Sequence, residues 1–185
     1  MDPTERAAWL RLTLTPEVGP RTARTLLAAY GLPQAIFAAG VESLARHVPA
    51  ALARTLAVAP SAEVAAATRA AERWLTLDPA HALLTLADDD YPLLLLATAD
   101  PPPVLFAVGR RELLQQPALA IVGSRSATQQ GASNAEAFAQ HLARAGLTIV
   151  SGLALGIDAA AHRGALKALE GGADAATIAV LGTGV

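Results

Sequence analysis

The spacing of hydrophobic and polar positions along this 185-residue chain changes near residue 80. Over residues 5 to 76 the apolar positions recur at helical spacing in short runs. These are interrupted by TPEVGPR, GLPQ and HVPA, and none alternates residue by residue as a half-exposed strand does. Leu26, Leu27, Tyr30, Ile36 and Phe37 supply the apolar faces of helices broken at Gly31 and Pro33, which predicts a small all-helical domain over residues 1–78. In DDDYPLLLLATADPPPVLFAVGR, residues 88 to 110, a triple proline fixes an extended path ahead of a short strand, Val104 to Val108. Residues 79–116 are therefore expected to be a linker and lead-in strand. From Pro117 the pattern reads strand (118 to 123), helix (about 130 to 145), strand (147 to 151), helix (about 158 to 170) and strand (177 to 182). Apolar strands alternating with amphipathic helices predict an α/β domain over residues 117–185, with a parallel sheet covered on both faces. Ala135, Phe138, Ala139, Leu142 and Ala143 fall on one helical face, Gly146 sits where a helix-ending glycine belongs, and Ser133 with Glu136 has the spacing of a capping box.

In such a sheet the ligand edge lies beyond the carboxyl ends of the strands, where loops enter helices. The loops here are GSRSATQQG, SGLALGID and GTG. Gly123 and Gly152 admit a close backbone approach, and the helix starts behind them offer N–H groups and partial positive charge. Arg125 adds a planar fork suited to a phosphate. Neither G-x-G-x-x-G nor G-x-x-x-x-G-K-[ST] is present, which argues against a dinucleotide or a nucleoside triphosphate as the occupant. Without a G-x-S-x-G elbow, Ser124 and Ser151 read as donors to phosphate oxygens rather than nucleophiles. Asp158 and His162, one helical turn apart, are expected to hold the loop and to pack, and no metal or cofactor is expected.

Composition leaves that picture local. Fourteen basic residues stand against 16 acidic ones, so no global field draws in a polyanion. The absence of cysteine excludes disulfides, thiolate metal sites and cysteine nucleophiles, and fits a reducing compartment. No basic segment leading into an apolar core is visible at the start, and no uncharged stretch reaches the roughly 20 residues that span a bilayer. The expectation is a cytoplasmic chain with no membrane insertion.

AIVGSRSATQQG, TIVSGLALGIDAAAHRGAL and TIAVLGTGV, with YPLLLLATADPPPVLFAVG ahead of them, resemble the DNA-processing protein A family, DprA or Smf, over about residues 88 to 185. The resemblance implies a Rossmann-like sheet that binds single-stranded DNA, protects it and helps load the RecA recombinase during natural transformation, usually as a homodimer. By position, Gly123, Ser124 and Arg125 match the first phosphate-binding turn; Ser151, Gly152, Ala154, Gly156, Ile157 and Asp158 match the second; His162 matches the motif as a supporting residue. The resemblance also implies a sterile-alpha-motif-like domain in front. There LTLTPEVGPRTARTLLAAYG, residues 12 to 31, is similar to a helix-hairpin-helix whose first glycine is replaced by Glu17, with Arg21 and Arg24 as the contacts if that domain touches DNA. Members continue past the third core strand, so this sequence is expected to be part of a longer chain, and the dimerising and RecA-contacting residues are not assured within it.

Two rivals remain, one using the same loops and the other using the helical domain. A nucleotide-processing enzyme of the phosphoribohydrolase kind would need P-G-G-x-G-T-x-x-E, which is missing, and would have to draw its acid or base from Asp158 and His162. The other rival is a protein-interaction scaffold with a vestigial anion site. A site of short side chains and backbone donors suits a flexible phosphate backbone better than a duplex groove, although residues 111 to 185 offer Phe138 as their only aromatic ring.

Overall fold

A computed structural model describes residues 1–174 and 176–182. The chain forms two compact units, Met1–Arg111 and Glu112–Val185. The first begins with six helices: α1 (Pro3–Leu14), α2 (Pro20–Tyr30), α3 (Pro33–Ala38), α4 (Val41–Leu44), α5 (Ala50–Ala57) and α6 (Ala62–Leu77). Proline opens α1, α2 and α3, where its missing N–H would have had no helical partner. The Asp2 carboxylate caps α1 by accepting from the Thr4 and Glu5 amides at 2.7 and 2.9 Å. Leu26 and Ile36 enter a core with Leu12, Leu44, Leu52 and Leu56, while Leu27, Tyr30 and Phe37 pack at its margin. The expected apolar faces are therefore the observed ones.

Residues 79–116 are more than the expected linker. β1 (His81–Thr85) pairs antiparallel with β2 (Val104–Val108), and Leu83 and Val104 share a second core cluster with Trp9 and Leu10 of α1. Between the strands lies the short helix α7 (Leu93–Leu96), and the Tyr91 hydroxyl donates to the Pro102 carbonyl at 2.8 Å. Local pattern missed β1 because its partners lie 19 to 27 residues further on and its apolar run does not alternate. The boundary between the compact units accordingly falls after Arg111, not at residue 79 or 117.

The second unit runs β3 (Ala118–Ala120), α8 (Gln129–Arg144), β4 (Thr148–Ser151), α9 (Ile157–Glu170) and β5 (Thr177–Ala179), with parallel strands in the order β3-β4-β5. The GTG turn expected after β5 includes Thr183 and Gly184, which lie outside the described residues. The sheet is not covered on both faces within this unit. A monotonic strand order with right-handed crossovers puts both helices on one side. Accordingly Ala139 and Ala143 of α8, Ala161, Ala165 and Ala168 of α9, and Ile149 of β4 form one cluster. Phe138 departs from its expected face, being 65% exposed, because the buried arc of α8 runs through Ala135, Ala139 and Ala143 and leaves position 138 to one side. The capping box is also absent: Thr128 caps α8 by accepting from the Gly131 amide at 3.1 Å, which places Ser133 inside the helix. Glu136 instead pairs across to Arg163 at 3.2 Å and to Lys167 of α9.

The helix contact is tightest at Gly164, where an added Cβ would lie 2.1 Å from the Glu136 carbonyl oxygen. Alanine normally exceeds glycine in a helix interior by about 1 kcal/mol. Here Gly164→Ala is expected to reverse that sign and to destabilise by about 1–3 kcal/mol through overpacking, as read from urea unfolding. A stabilised variant would show that the helices separate easily.

Candidate anion-binding site

The parallel order brings the carboxyl ends of β3, β4 and β5 to one edge of the second unit, and the expected turn residues gather there. β3 stops short of the expected residue 123. Its last ladder bond runs from the Ile121 amide to the Val150 carbonyl at 3.0 Å, after which the chain turns through Val122, Gly123, Ser124 and Arg125. The second turn leaves Ser151, passes Leu153 at φ 57° and Gly156 at φ 79°, and enters α9 at Ile157.

The two turns are built against each other. A Cβ on Gly156 would lie 2.2 Å from the Ser124 carbonyl oxygen and 2.6 Å from that of Arg125, and one on Gly123 would lie 2.7 Å from Cγ1 of Ile157. The Ile157 amide donates to the Ser124 carbonyl at 3.2 Å. Gly123, Ser124, Arg125, Gly156 and Ile157 thus form one piece of surface. Ile157 serves as a wedge and uses its amide internally, which the motif could not reveal.

Several other motif residues are structural holders. Ser151, expected as a phosphate donor, is buried and donates its hydroxyl to the Ile121 carbonyl at 2.7 Å, tying β4 to β3. Asp158 does hold the loop, accepting from the Gly152 amide at 3.2 Å. It does not cap its own helix, whose N-cap is Gly156. Gly152 leaves room for that carboxylate, since a Cβ there would sit 2.9 Å from Oδ2. The Ala154 carbonyl accepts from the Ala159 amide at 3.1 Å and closes the first turn of α9. In the first turn, the Ser124 hydroxyl accepts from the Ser126 amide at 3.1 Å. Arg125 is exposed, and among the described residues its guanidinium has no ion-pair or hydrogen-bond partner. It is also the only charged residue in 121–128, 152–157 and 180–182. That combination can receive an anion without first breaking an ion pair.

His162 is buried on α9, with Nδ1 2.7 Å from the Thr177 hydroxyl oxygen. That hydroxyl donates its hydrogen to the Ile149 carbonyl at 2.8 Å, so Nδ1 carries the imidazole proton and donates to it. Nε2 is then an acceptor, and it finds no partner among the described residues. Among the described residues there is no group of three or more His, Cys, Asp or Glu that could hold a metal ion.

In the first unit the hairpin before α2 keeps its shape despite the missing glycine, because Glu17 itself adopts φ 68°. Arg21 and Arg24, expected on a solvated face or against DNA, make exposed contacts within the unit, the Arg21 side chain being 85% exposed. Arg21 pairs with Asp100 at 3.1 Å, and Arg24 donates to the Ala99 carbonyl. No described helix is long and apolar enough to cross a membrane.

A family model described as DNA recombination-mediator protein A matches residues 82–185, and one described as the DprA-like N-terminal HHH domain matches residues 3–70. The chain is 43% identical over 122 residues to DNA processing protein DprA of Streptococcus pneumoniae, covering 62% of this chain and 41% of that one. It is 47% identical over 106 residues to Protein Smf of Synechocystis, covering 55% and 25% respectively. The solved X-ray structure of DNA processing protein A from Streptococcus pneumoniae aligns with all of this chain and 59% of its own, with a TM-score of 0.60 at 30% identity. The chain therefore spans less than half the length of these two curated relatives.

Burial pushes the His162 imidazole below its ordinary value of 6.5, and the nearby Asp158 carboxylate opposes that shift. A base whose folded pKa is depressed leaves the unfolded chain to take up the proton first. The stability tied to neutral His162 is thus complete above about 6.5 and is lost as the pH falls toward the folded value. The urea midpoint is expected to drop between about pH 7.5 and about pH 5.5, and to drop less in His162→Gln. Equal drops in both proteins would remove His162 as the cause.

Proposed function

We propose, from the premise that the chain belongs to the DNA recombination-mediator protein A family, that its second unit binds single-stranded DNA by the phosphate backbone at the paired turns. On this reading it serves a protein of natural transformation and recombination that shields incoming DNA and helps load RecA. RecA contact and homodimerisation are assigned to the full-length protein. The observation that carries the reading is the interlocked surface of Gly123, Ser124, Arg125 and Gly156, which presents one unpaired guanidinium and no carboxylate side chain.

Physical reasons favour a single strand. The turns project short side chains and backbone rather than a helix or ribbon that could enter a groove, so base edges in a duplex are out of reach. A flexible strand can turn its phosphates inward toward Arg125 and the helix starts. Such contacts position a backbone without reading sequence. On this reading Gly123, Ser124 and Arg125 face the ligand, while the Gly152 amide is taken up by Asp158. Ser151, Ala154, Gly156, Ile157 and Asp158 hold the turns in place, and His162 supports them from behind. The engagement of Arg21 and Arg24 with residues 99 and 100 favours a packing role for the helical hairpin over a DNA contact.

Fluorescence anisotropy of a labelled oligothymidylate, with matched duplex as competitor, tests this reading. The expected result is preference for the single strand, with log affinity falling against log salt at a slope of about 0.7 per neutralised phosphate. Arg125→Ala is expected to weaken binding by about tenfold for every sequence alike, in line with the loss of a charge-assisted contact. Salt-independent binding, or a loss confined to particular sequences, would contradict a backbone site.

A further inference from the structure

The edge that carries the two turns is also its unit's most conspicuous exposed apolar surface. Val122 is 71% exposed beside Gly123, Leu155 is 77% exposed beside Gly156, and Leu153, Val180 and Leu181 are exposed around them. They follow the ends of the three adjacent strands and so lie along one edge of the sheet. The Val180 amide donates to the Ser151 carbonyl at 2.9 Å, the Val180 carbonyl lies 3.9 Å from the Cβ position of Gly152, and Gly156 abuts the carbonyls of Ser124 and Arg125. Soluble proteins rarely leave several large aliphatic side chains adjacent on a surface without use. The neighbouring α9 hides most of its alanines and its histidine, with Leu166 and Leu169 about half exposed, whereas Val122 and Leu155 at the turns are more than two-thirds exposed.

We propose that these aliphatic side chains, Leu155 foremost, form a platform for the faces of nucleobases, contiguous with the phosphate site of Arg125. The inference rests on the single-strand reading above and names what that reading lacked, a partner for the bases. The occupant follows from the chemistry of the edge. One unpaired cation set among aliphatic groups, with no carboxylate side chain in residues 121–128, 152–157 or 180–182, complements a polymer that alternates anionic groups with flat rings of low polarity. A small inorganic anion would leave the leucines in water, and a purely apolar partner would bury the guanidinium unpaired. Contact through the faces of the rings makes no use of their hydrogen-bonding edges, so the platform tolerates any base, as single-strand platforms do.

The experiment compares two labelled probes of equal length and charge, an oligothymidylate and the same backbone carrying abasic sites. Each is titrated with the unaltered chain, Leu155→Ser, Leu155→Met and Arg125→Ala, after circular dichroism has shown that each is folded. The unaltered chain is expected to prefer the base-bearing probe by about tenfold, the worth of partly burying one leucine-sized surface. Leu155→Ser should remove most of that preference while leaving the abasic affinity in place, Leu155→Met should retain it, and Arg125→Ala should weaken both probes. Equal affinity of the unaltered chain for the two probes overturns the platform while leaving the phosphate site intact. So does a Leu155→Ser variant that weakens both probes equally, or one that only shifts the sedimentation of a self-associated chain. If neither probe binds, or Arg125→Ala changes neither affinity, the single-strand reading fails and the platform falls with it.

Discussion

The two turns keep a common shape because the Gly156 backbone lies against the carbonyls of Ser124 and Arg125. There is no room for a methyl group at that point, and at φ 79° the position is also one that side chains rarely adopt. The Ile157 amide bonds to the Ser124 carbonyl, and the Ile157 side chain fills the space left open by Gly123. Two loops that would otherwise be ordered separately therefore behave as a single element. The ordering entropy is met during folding rather than on binding, which is the physical content of preorganisation.

That contact also divides the motif into groups that hold and groups that are presented. Ser151 ties β4 to β3, Asp158 occupies the Gly152 amide, and His162 reaches the carbonyl of Ile149 through the Thr177 hydroxyl. All three are buried, and the Ser151 hydroxyl, the Asp158 carboxylate and His162 Nδ1 each bond to protein. Arg125 and the aliphatic side chains at the ends of the strands remain outward. A long motif is needed for a small presented surface because each exposed group rests on one or two buried ones.

The first unit shows the same division. Glu17 takes the left-handed conformation that the hairpin requires, so its side chain accepts a backbone strain that glycine would avoid. The hairpin therefore survives a substitution that alters its surface charge. Arg11 closes the end of α5 from within, donating to the carbonyls of Leu56 and Val58 while its guanidinium lies 3.7 Å above the Phe37 ring.

The sequence by itself determined the helical front, the strand-helix alternation after residue 117, the glycine turns and the family resemblance. All of these rest on local spacing or on residues with special backbone behaviour. Leu26 and Ile36 were legible as core because a helix repeats its buried face every three or four residues. Tertiary structure alone decided the rest. The pairing of β1 with β2 depends on partners 19 to 27 residues away, and the one-sided stacking of α8 and α9 depends on strand order. The exposure of Phe138 follows from which face of α8 is turned inward, the one carrying Ala135, Ala139 and Ala143. Ser151, Asp158 and Ile157 have side chains and amides able to serve a ligand or the fold. Which of the two they serve is fixed by the carbonyl or amide that folding brings within 3.2 Å, and no local pattern encodes that distance.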